Sequence, residues 1–359
     1  MSANVSSDQS YQPYQPYQPY HCVAAPIGMG GSSPATPPTK PEAAPTTATA
    51  ATAMPAPVPS GPDEPQQQIE SLRHRIETAT TRVRDTTPLA QSFTNFVTIN
   101  LVANAQLASG GTAAMSFLPD DVIDTAAIAG STYINVGTLL PFFKDALTQI
   151  AHRFHEMKHP WVLDPVAAGI GATRTAILTG FKAAPPTIVR GNASEIIALA
   201  DMWNLNTNTV IGGANTTEPS TRPAGVEAVD DVDSAQNAAV QLARYLRDHN
   251  GLGHAAVAVS GATDLVTDGD TVYRLPGGSA MMTKITGAGC SLGGVTATYL
   301  AVTNPLTAAV GASALYNRAS EQAERVSHGP GSFQTAFLDA LWNTSAQTVA
   351  QSTITASAA

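Results

Sequence analysis

The chain has 359 residues, a formal net charge of −9 and only 13% charged residues. Its length fits one large domain or two ordinary ones, and its acidic balance offers no basic surface for nucleic acid or an anionic membrane. No apolar run reaches the roughly 18 residues that span a bilayer, and no signal or transit peptide is recognisable. The two cysteines, Cys22 and Cys290, form no disulfide framework. These features predict a soluble cytosolic protein.

The first 68 residues are low in complexity. Residues 11–20 read YQPYQPYQPY, and residues 34–65 are mostly Ala, Pro and Thr. Such a segment buries too little apolar surface to offset chain entropy, so we predict a disordered tail over 1–68. The tail is either an inert extension, which we favour, or a docking segment for an aromatic groove. The ordered domain is expected over 69–350.

The rest of the chain alternates helix-like and strand-like segments. The patterns predict helices over 66–86, 93–109, 141–158, 172–182, 193–200 and 234–247, another opened by Pro119, and alanine-rich helices over 290–302, 304–323 and 331–346. They predict strands over 112–117, 132–136, 161–163, 187–189 and 255–259, and a hairpin that turns at Asp268-Gly269. Residues 347–359 are expected to fray. This alternation favours a parallel sheet covered on both faces, with ligands bound beyond the carboxyl ends of the strands.

Three candidate side chains follow predicted strands, and each has a structural and a functional interpretation. Glu195 could hold a hydrated Mg²⁺, but with Asn192 three residues earlier it also fits a helix capping box, which is favoured from these residues alone. Asp164 supplies a second carboxylate or merely an Asp-Pro turn. Arg190 could neutralise a phosphate or form a structural salt bridge.

The stretch Thr286-Gly287-Ala288-Gly289-Cys290 precedes a helix rich in small residues. Glycines and a helix N-terminus predict an anion site there. A thiol at this point is expected to have a lowered pKa, and it would accept a proton from an alcohol, line a pocket, or simply be a small buried side chain. An anion site with two carboxylates and an arginine favours phosphoryl transfer. The chain has no G-x-x-x-x-G-K-[ST] motif, which excludes a P-loop kinase.

Several motifs, in this order along the chain, resemble those of the hydroxyethylthiazole kinase family, the thiamine-salvage members of the ribokinase-like superfamily. They are FTNFV at 93–97, residues 110–115, NVGTL at 135–139, VLDPV at 162–166, VRGNASE at 189–195, VSG at 259–261 and MTKITGAGC at 282–290. Cys290 stands where most ribokinase-like enzymes have an aspartate base. The resemblance implies a ribokinase-like αβα sandwich with a mostly parallel central sheet. It also implies phosphorylation of the hydroxyl of 4-methyl-5-(2-hydroxyethyl)thiazole by ATP with Mg²⁺, and a homotrimer with its pocket between subunits.

The resemblance also implies roles for individual residues. The residues it implies for binding the thiazole alcohol are Met115, Asn95, Val97, Gly137, Thr138 and Gly287. The catalytic residues it implies are Cys290, Gly287 and Gly289. The residues it implies for ATP binding are Arg190, Ser260 and Asn192, and those for metal binding are Asp164 and Glu195.

Two alternative functions remain open at this stage. One is another ribokinase-like kinase, acting on hydroxymethylpyrimidine or pyridoxal, against which Cys290 argues because an aspartate is usual there. The other is a catalytically weak scaffold that presents the Tyr-Gln-Pro tail, suggested by departures from the family pattern at Gln91 and Ala262. The intact set of Arg190, Asn192, Glu195 and Gly287–Cys290 argues against the scaffold.

Overall fold

The computed structural model of the chain describes residues 64–205 and 232–359. The predicted tail up to residue 63 and the segment 206–231 lie outside the described residues. Helix α1 (Glu64–Thr86) confirms the helix predicted over 66–86 and begins two residues earlier, so the predicted tail extends too far at residues 64–68. Its buried face is apolar at intervals of three and four, from Leu72 to Val83.

One sheet forms the centre of the described chain. Its strands are β1 (Leu89–Phe93), β2 (Thr112–Met115), β3 (Ser131–Asn135), β4 (Trp161–Asp164), β5 (Ile188–Asn192), β6 (Ala256–Ser260), β7 (Thr263–Thr267), β8 (Thr271–Pro276) and β9 (Thr355–Ala358). They lie in the order β2-β1-β3-β4-β5-β6-β7-β8-β9. Strands β1 to β6 pair in parallel, and β7 to β9 are added antiparallel. The carboxyl ends of the parallel strands therefore share one edge.

Helices cover both faces of this sheet. They are α2 (Ile99–Ala108), α3 (Pro119–Ala126), α4 (Phe143–Met157), α5 (Ala172–Gly180), α6 (Ala193–Met202), α7 (Gln236–His249), α8 (Ala288–Leu300), α9 (Pro305–Val326), α10 (Pro330–Asn343) and α11 (Ala346–Ala350). One core contains apolar residues of α1, α2 and α8 to α11, and the other those of α3 to α7. Along β3, Tyr133 belongs to the first core and Ile134 to the second, as the twofold period of a strand requires. The predicted αβα sandwich with a mostly parallel sheet is confirmed.

Two predicted segments were wrong. We expected a helix over 93–109, but Leu89–Phe93 is strand β1 and the helix begins only at Ile99. Strand β1 is buried between β2 and β3, and its central residues Gln91 and Ser92 are polar, so no strand-like alternation was visible. We also expected residues 347–359 to fray. They form α11 and β9, and β9 is held by antiparallel pairing to β8, a backbone interaction that side-chain pattern does not report.

In the part of the chain that the structure describes, none of the helices has the length and apolarity needed to cross a membrane. The cytosolic location expected from the sequence stays a prediction.

Candidate active site

The carboxyl ends of the parallel strands meet the N-terminus of α8. The first backbone bond of that helix runs from Ser291 N to Gly287 O, at 2.8 Å, so the amides of residues 288–290 precede it. Gly287 has a φ of +90°, and a Cβ there would lie 2.8 Å from Thr98 Cγ2. Both the left-handed backbone and the close approach of α2 therefore require glycine at this position.

Asp164, at the end of β4, is the centre of the polar network. Its Oδ2 accepts hydrogen bonds from the Tyr133 hydroxyl at 2.8 Å and from Arg190 Nη1 at 3.3 Å. Asn135 Nδ2 donates a third, at 3.2 Å. Burial raises the pKa of Asp164, and the neighbouring Arg190 charge opposes that rise. The other oxygen, Oδ1, is buried and has no hydrogen-bond partner among the described residues.

Arg190, on β5, joins Asp164 to the next strand. Its Nη2 donates to Ser260 Oγ at 2.7 Å, and the whole residue is only 6% exposed. The start of α8 lies directly against the guanidinium, because a Cβ on Gly289 would be 2.9 Å from Arg190 Nη1. The structural salt bridge considered for Arg190 is present. Contact of Arg190 and Ser260 with a nucleotide stays a prediction.

Glu195 and Asn192 form a reciprocal capping box at the start of α6. Asn192 Oδ1 accepts from Glu195 N, and Glu195 Oε2 accepts from Asn192 N, each at 2.9 Å. The favoured capping interpretation is confirmed. Glu195 Oε1 accepts from Ala167 N at 3.0 Å, so both carboxylate oxygens already hold an amide. Burial, followed by the nearby Asp164 charge, raises the pKa of Glu195 to about 7.

Cys290 lies in the first turn of α8, where its Sγ accepts a hydrogen bond from Asn95 Nδ2 at 3.3 Å. Burial raises the pKa of the thiol, and the Asp164 charge raises it further. Our expectation of a lowered pKa was therefore wrong, because removal from water outweighs the positive end of the helix. The side chain is a neutral thiol at neutral pH.

The residues predicted for the thiazole alcohol are brought together in part. Asn95 Nδ2 also donates to Asn135 Oδ1 at 3.1 Å, and Gly137 N donates to the same oxygen at 2.8 Å. A Cβ on Gly137 would be 2.9 Å from Asn135 Oδ1, so this loop lies against the network. Met115 ends β2, paired with Ser92. Val97 and Thr138 follow Asn95 and Gly137 closely in the chain; Val97 is 73% exposed and Thr138 is half-buried. Their substrate roles stay predictions.

Sequence reasoning missed Tyr133 and Arg174, and it marked Asn135 only as a member of the NVGTL motif at the end of a predicted strand. Tyr133 packs under α8, where a Cβ on Gly293 would be 2.2 Å from the Tyr133 ring. Tyr133 and Asn135 lie two apart on β3 and so face the same side, a signal that was available. Arg174 donates to Val136 O at 3.1 Å and to Gly137 O at 3.0 Å, which fixes the loop after β3. No motif in the sequence marked Arg174.

A covered parallel sheet, with a carboxylate and an arginine at its strand ends facing a glycine-led helix N-terminus, defines an α/β phosphotransferase of the ribokinase-like class. The model of the hydroxyethylthiazole kinase family matches residues 80–347, which lie inside the predicted 69–350 domain. The chain belongs to the hydroxyethylthiazole kinase family.

Individual relatives agree with this membership. The chain is 71% identical over 290 residues to the hydroxyethylthiazole kinase of Bifidobacterium longum subsp. infantis, covering 79% of this chain and 91% of the relative. It is 41% identical over 263 residues to that of Rhizobium rhizogenes, covering 73% and 89%. The solved structure of the Pyrococcus horikoshii OT3 hydroxyethylthiazole kinase protein superposes with a TM-score of 0.66 at 27% identity, covering 79% of this chain and 98% of that one. The family resemblance is confirmed, and neither alternative function is favoured.

Proposed function

We propose that the chain transfers the terminal phosphoryl group of ATP to the hydroxyl of 4-methyl-5-(2-hydroxyethyl)thiazole, in thiamine salvage. The observation that carries this proposal is the Asp164–Arg190 pair held against the N-terminus of α8 in a chain of the hydroxyethylthiazole kinase family. Phosphoryl transfer depends mainly on positioning and on stabilising charge, and these groups supply both.

The residues present fit a hydrated Mg²⁺. Asp164 Oδ1 is a buried acceptor without a hydrogen-bond partner in the described chain, which suits a cation ligand. No three His, Cys, Asp or Glu residues within 64–205 and 232–359 are grouped to hold a metal. Asp164 would hold such an ion directly and Glu195 would hold it through water, which suits Mg²⁺ because this ion usually keeps several waters. When bound, Mg²⁺ would neutralise charge on the phosphates.

The phosphate end of the reaction uses cations and backbone amides of this chain. Arg190 presents its guanidinium beside Gly289, Asn192 ends the same strand β5, and Ser260 ends the neighbouring strand β6. The amides that precede the first backbone bond of α8, together with Gly287, would donate to the transferring phosphoryl oxygens. Because these groups are already oriented, little reorganisation is needed when charge develops in the transition state.

The acceptor end uses Asn95, Gly137 and Cys290. Asn135 fixes the first two, and Asn95 fixes the thiol. A loose transition state needs little help from a general base, so a neutral thiol suffices. We propose that Cys290 orients the alcohol and takes part in handling its proton, and that it forms no covalent bond.

We also propose that the protein is a homotrimer with the thiazole pocket between subunits. Support comes from exposed apolar side chains in, or next in sequence to, the ring cluster of Phe96, Phe117 and Phe143: Phe96 is 41% exposed, Val97 73%, Leu118 61% and Phe142 55%. A patch of this kind favours a protein interface. Leu118→Asp should lower the sedimentation coefficient, whereas Val326→Asp, an equally exposed change at the end of α9, should not. A monomeric wild type would refute the proposal.

The proposed reaction is tested by measuring ADP release. The protein is incubated with ATP, Mg²⁺ and either hydroxyethylthiazole, pyridoxal or hydroxymethylpyrimidine. We expect turnover with the thiazole alcohol and little with the other two. Absence of turnover with the thiazole alcohol would refute the proposal, and preference for pyridoxal or the pyrimidine would select the alternative kinase.

A further inference from the structure

A buried carboxylate–amide pair lies beside the phosphate end of the site. Asn317 Nδ2, on α9, donates to Asp264 Oδ2, on β7, at 3.3 Å. Asp264 Oδ1 accepts from Gly261 N at 3.0 Å, and Asp264 is only 7% exposed. The pair therefore ties α9 to the turn between β6 and β7.

That turn carries Ser260, the hydrogen-bond partner of Arg190. Gly261 follows Ser260 directly, and a Cβ there would be 2.2 Å from Val232 Cγ2. The hydrogen bond from the Gly261 amide to Asp264 and the close packing of Gly261 on Val232 restrain this turn. The location of Ser260 Oγ and of the Arg190 guanidinium thus depends on Asp264.

Asn317 also contacts a second loop, the one between β8 and the α8 corner. Gly277 and Gly278 have φ values of +129° and +89°, in the region that favours glycine. A Cβ on Gly278 would be 2.9 Å from Asn317 Oδ1, and Gly278 N donates to Glu321 Oε1 at 3.1 Å. Because Glu321 lies one turn after Asn317 on α9, the same helix face holds both loops.

We propose that Asp264 and Asn317 are positioning residues that fix the two loops bordering the nucleotide and so set the affinity for ATP. The inference rests on the proposed function, in which Arg190 and Ser260 contact the nucleotide. The acceptor end is held by a different pair, since Asn135 and Arg174 fix the loop at Gly137. Disturbing Asp264–Asn317 therefore weakens nucleotide binding and leaves the alcohol end unchanged.

The test first changes Asn317 alone and then exchanges the carboxylate and the amide of the pair in a double variant. Asn317→Asp places a second carboxylate against Asp264, and the KM for ATP should rise about tenfold while kcat and the KM for the thiazole alcohol stay within about twofold. The double variant Asp264→Asn with Asn317→Asp restores one carboxylate and one amide with their positions reversed, and its KM for ATP should recover. Asn343→Asp adds the same charge at an exposed position of α10 and serves as the control.

Binding of ADP, measured by titration calorimetry, gives a second readout that needs no turnover. Weaker ADP binding by Asn317→Asp, with recovery in the double variant, supports the proposal even if the thiazole alcohol is not the substrate. Unchanged ADP affinity, or equal loss of ATP and alcohol affinity, overturns it. If Asn317→Asp does not fold, Asn317→Ala removes the donor without adding charge, and unchanged ADP affinity in that variant is equally decisive.

Discussion

The Tyr133 hydroxyl donates a 2.8 Å hydrogen bond to Asp164 Oδ2 beneath the first turns of α8. Asn135 Nδ2 joins them, at 2.8 Å from the Tyr133 oxygen and 3.2 Å from Asp164. Burial, with the Asp164 charge next, raises the pKa of Tyr133 well above its ordinary range, so the hydroxyl stays a donor. Tyr133, Asn135 and Arg190 all donate to Oδ2, so Asp164 Oδ1 has no hydrogen-bond partner in the described part of the chain.

Tyr133→Phe should therefore lower kcat. The change removes one donor from a buried carboxylate, which costs roughly 1.5–3 kcal/mol and corresponds to about a tenfold loss or more if the carboxylate acts in the transition state. Steady-state kinetics over a range of Mg²⁺ concentrations measures it. Tyr245→Phe is the control, since Tyr245 donates to Lys182 O on the other side of the sheet. Equal kinetics in wild type and Tyr133→Phe would show that Asp164 does not depend on this bond.

Gly289→Ala should reduce activity while the fold is kept. The added methyl would lie 2.9 Å from Arg190 Nη1, so the guanidinium must move away from Asp164 and Ser260. Alanine is a better helix former than glycine by about 1 kcal/mol, so helix propensity gives no reason for unfolding. The KM for ATP and the melting temperature are the measurements.

Gly331→Ala is the matched control for that substitution. Gly331 is also in the first turn of a helix, α10, and nothing lies within 4 Å of the position its Cβ would take. If both alanine variants kept wild-type kinetics, contact between α8 and Arg190 would have no part in the reaction.

Glu195→Gln should separate capping from charge. Glutamine also suits a capping box, so α6 should remain capped and the free energy of unfolding should change little. Above pH 7, where Glu195 carries its charge, the lost negative charge should raise the Mg²⁺ concentration needed for half-maximal rate and lower the rate itself. Glu195→Ala, which loses the cap as well, should in addition unfold at lower urea concentration. Wild-type activity in Glu195→Gln would leave only the structural role seen in the hydrogen bonds to Asn192 and Ala167.

Much of the fold could be predicted from local sequence pattern, and the wrong predictions have identifiable physical causes. Strands β4 and β6 are short and buried, and each is apolar except for the polar residue that ends it, Asp164 or Ser260. Strand β1 differs because its polar centre has partners far along the chain: Gln91 Oε1 accepts from Thr132, and Ser92 donates to Gln106. Nothing in the residues around β1 reports those contacts.

In the site too, features that depend on local sequence could be predicted, and features that depend on distant contacts could not. Asp164 and Arg190 could be picked out because each comes at the end of a predicted strand. The role of Tyr133 arises from a contact 31 residues along the chain, and that of Arg174 from contacts 37 and 38 residues away. The prediction of a lowered pKa for Cys290 was wrong because the sequence shows the helix start, which lowers a thiol pKa, but does not show the burial that raises it.

Cys290→Ala should weaken the reaction without abolishing it. The thiol is neutral, and most of the transition-state stabilisation is expected from the amides at the start of α8 and from Arg190. kcat should fall while the KM for ATP stays near that of wild type, because the side chain lies at the acceptor end beside Asn95. Full wild-type activity would reduce Cys290 to a pocket wall, and complete loss would point to an essential proton transfer.

His159 should make the folded state sensitive to acid. Its Nε2 lies 2.9 Å from Thr132 Oγ1, inside a buried pair of polar side chains next to β1. Burial lowers the pKa of His159 from 6.5 to about 4. The unfolded chain therefore binds the proton more tightly than the folded protein, so this contribution to stability is complete above pH 6.5 and is lost as the pH falls towards 4.

Urea unfolding of wild type and His159→Gln at about pH 7.5 and about pH 5 isolates this effect. Glutamine can still bond Thr132 but does not titrate, so the difference in unfolding free energy between the two proteins should shrink by about 2 kcal/mol at the lower pH. His254→Gln, which changes an exposed histidine in the turn before β6, is the control substitution. A constant difference between wild type and His159→Gln at both pH values would mean that His159 is protonated as readily in the folded protein as in the unfolded chain.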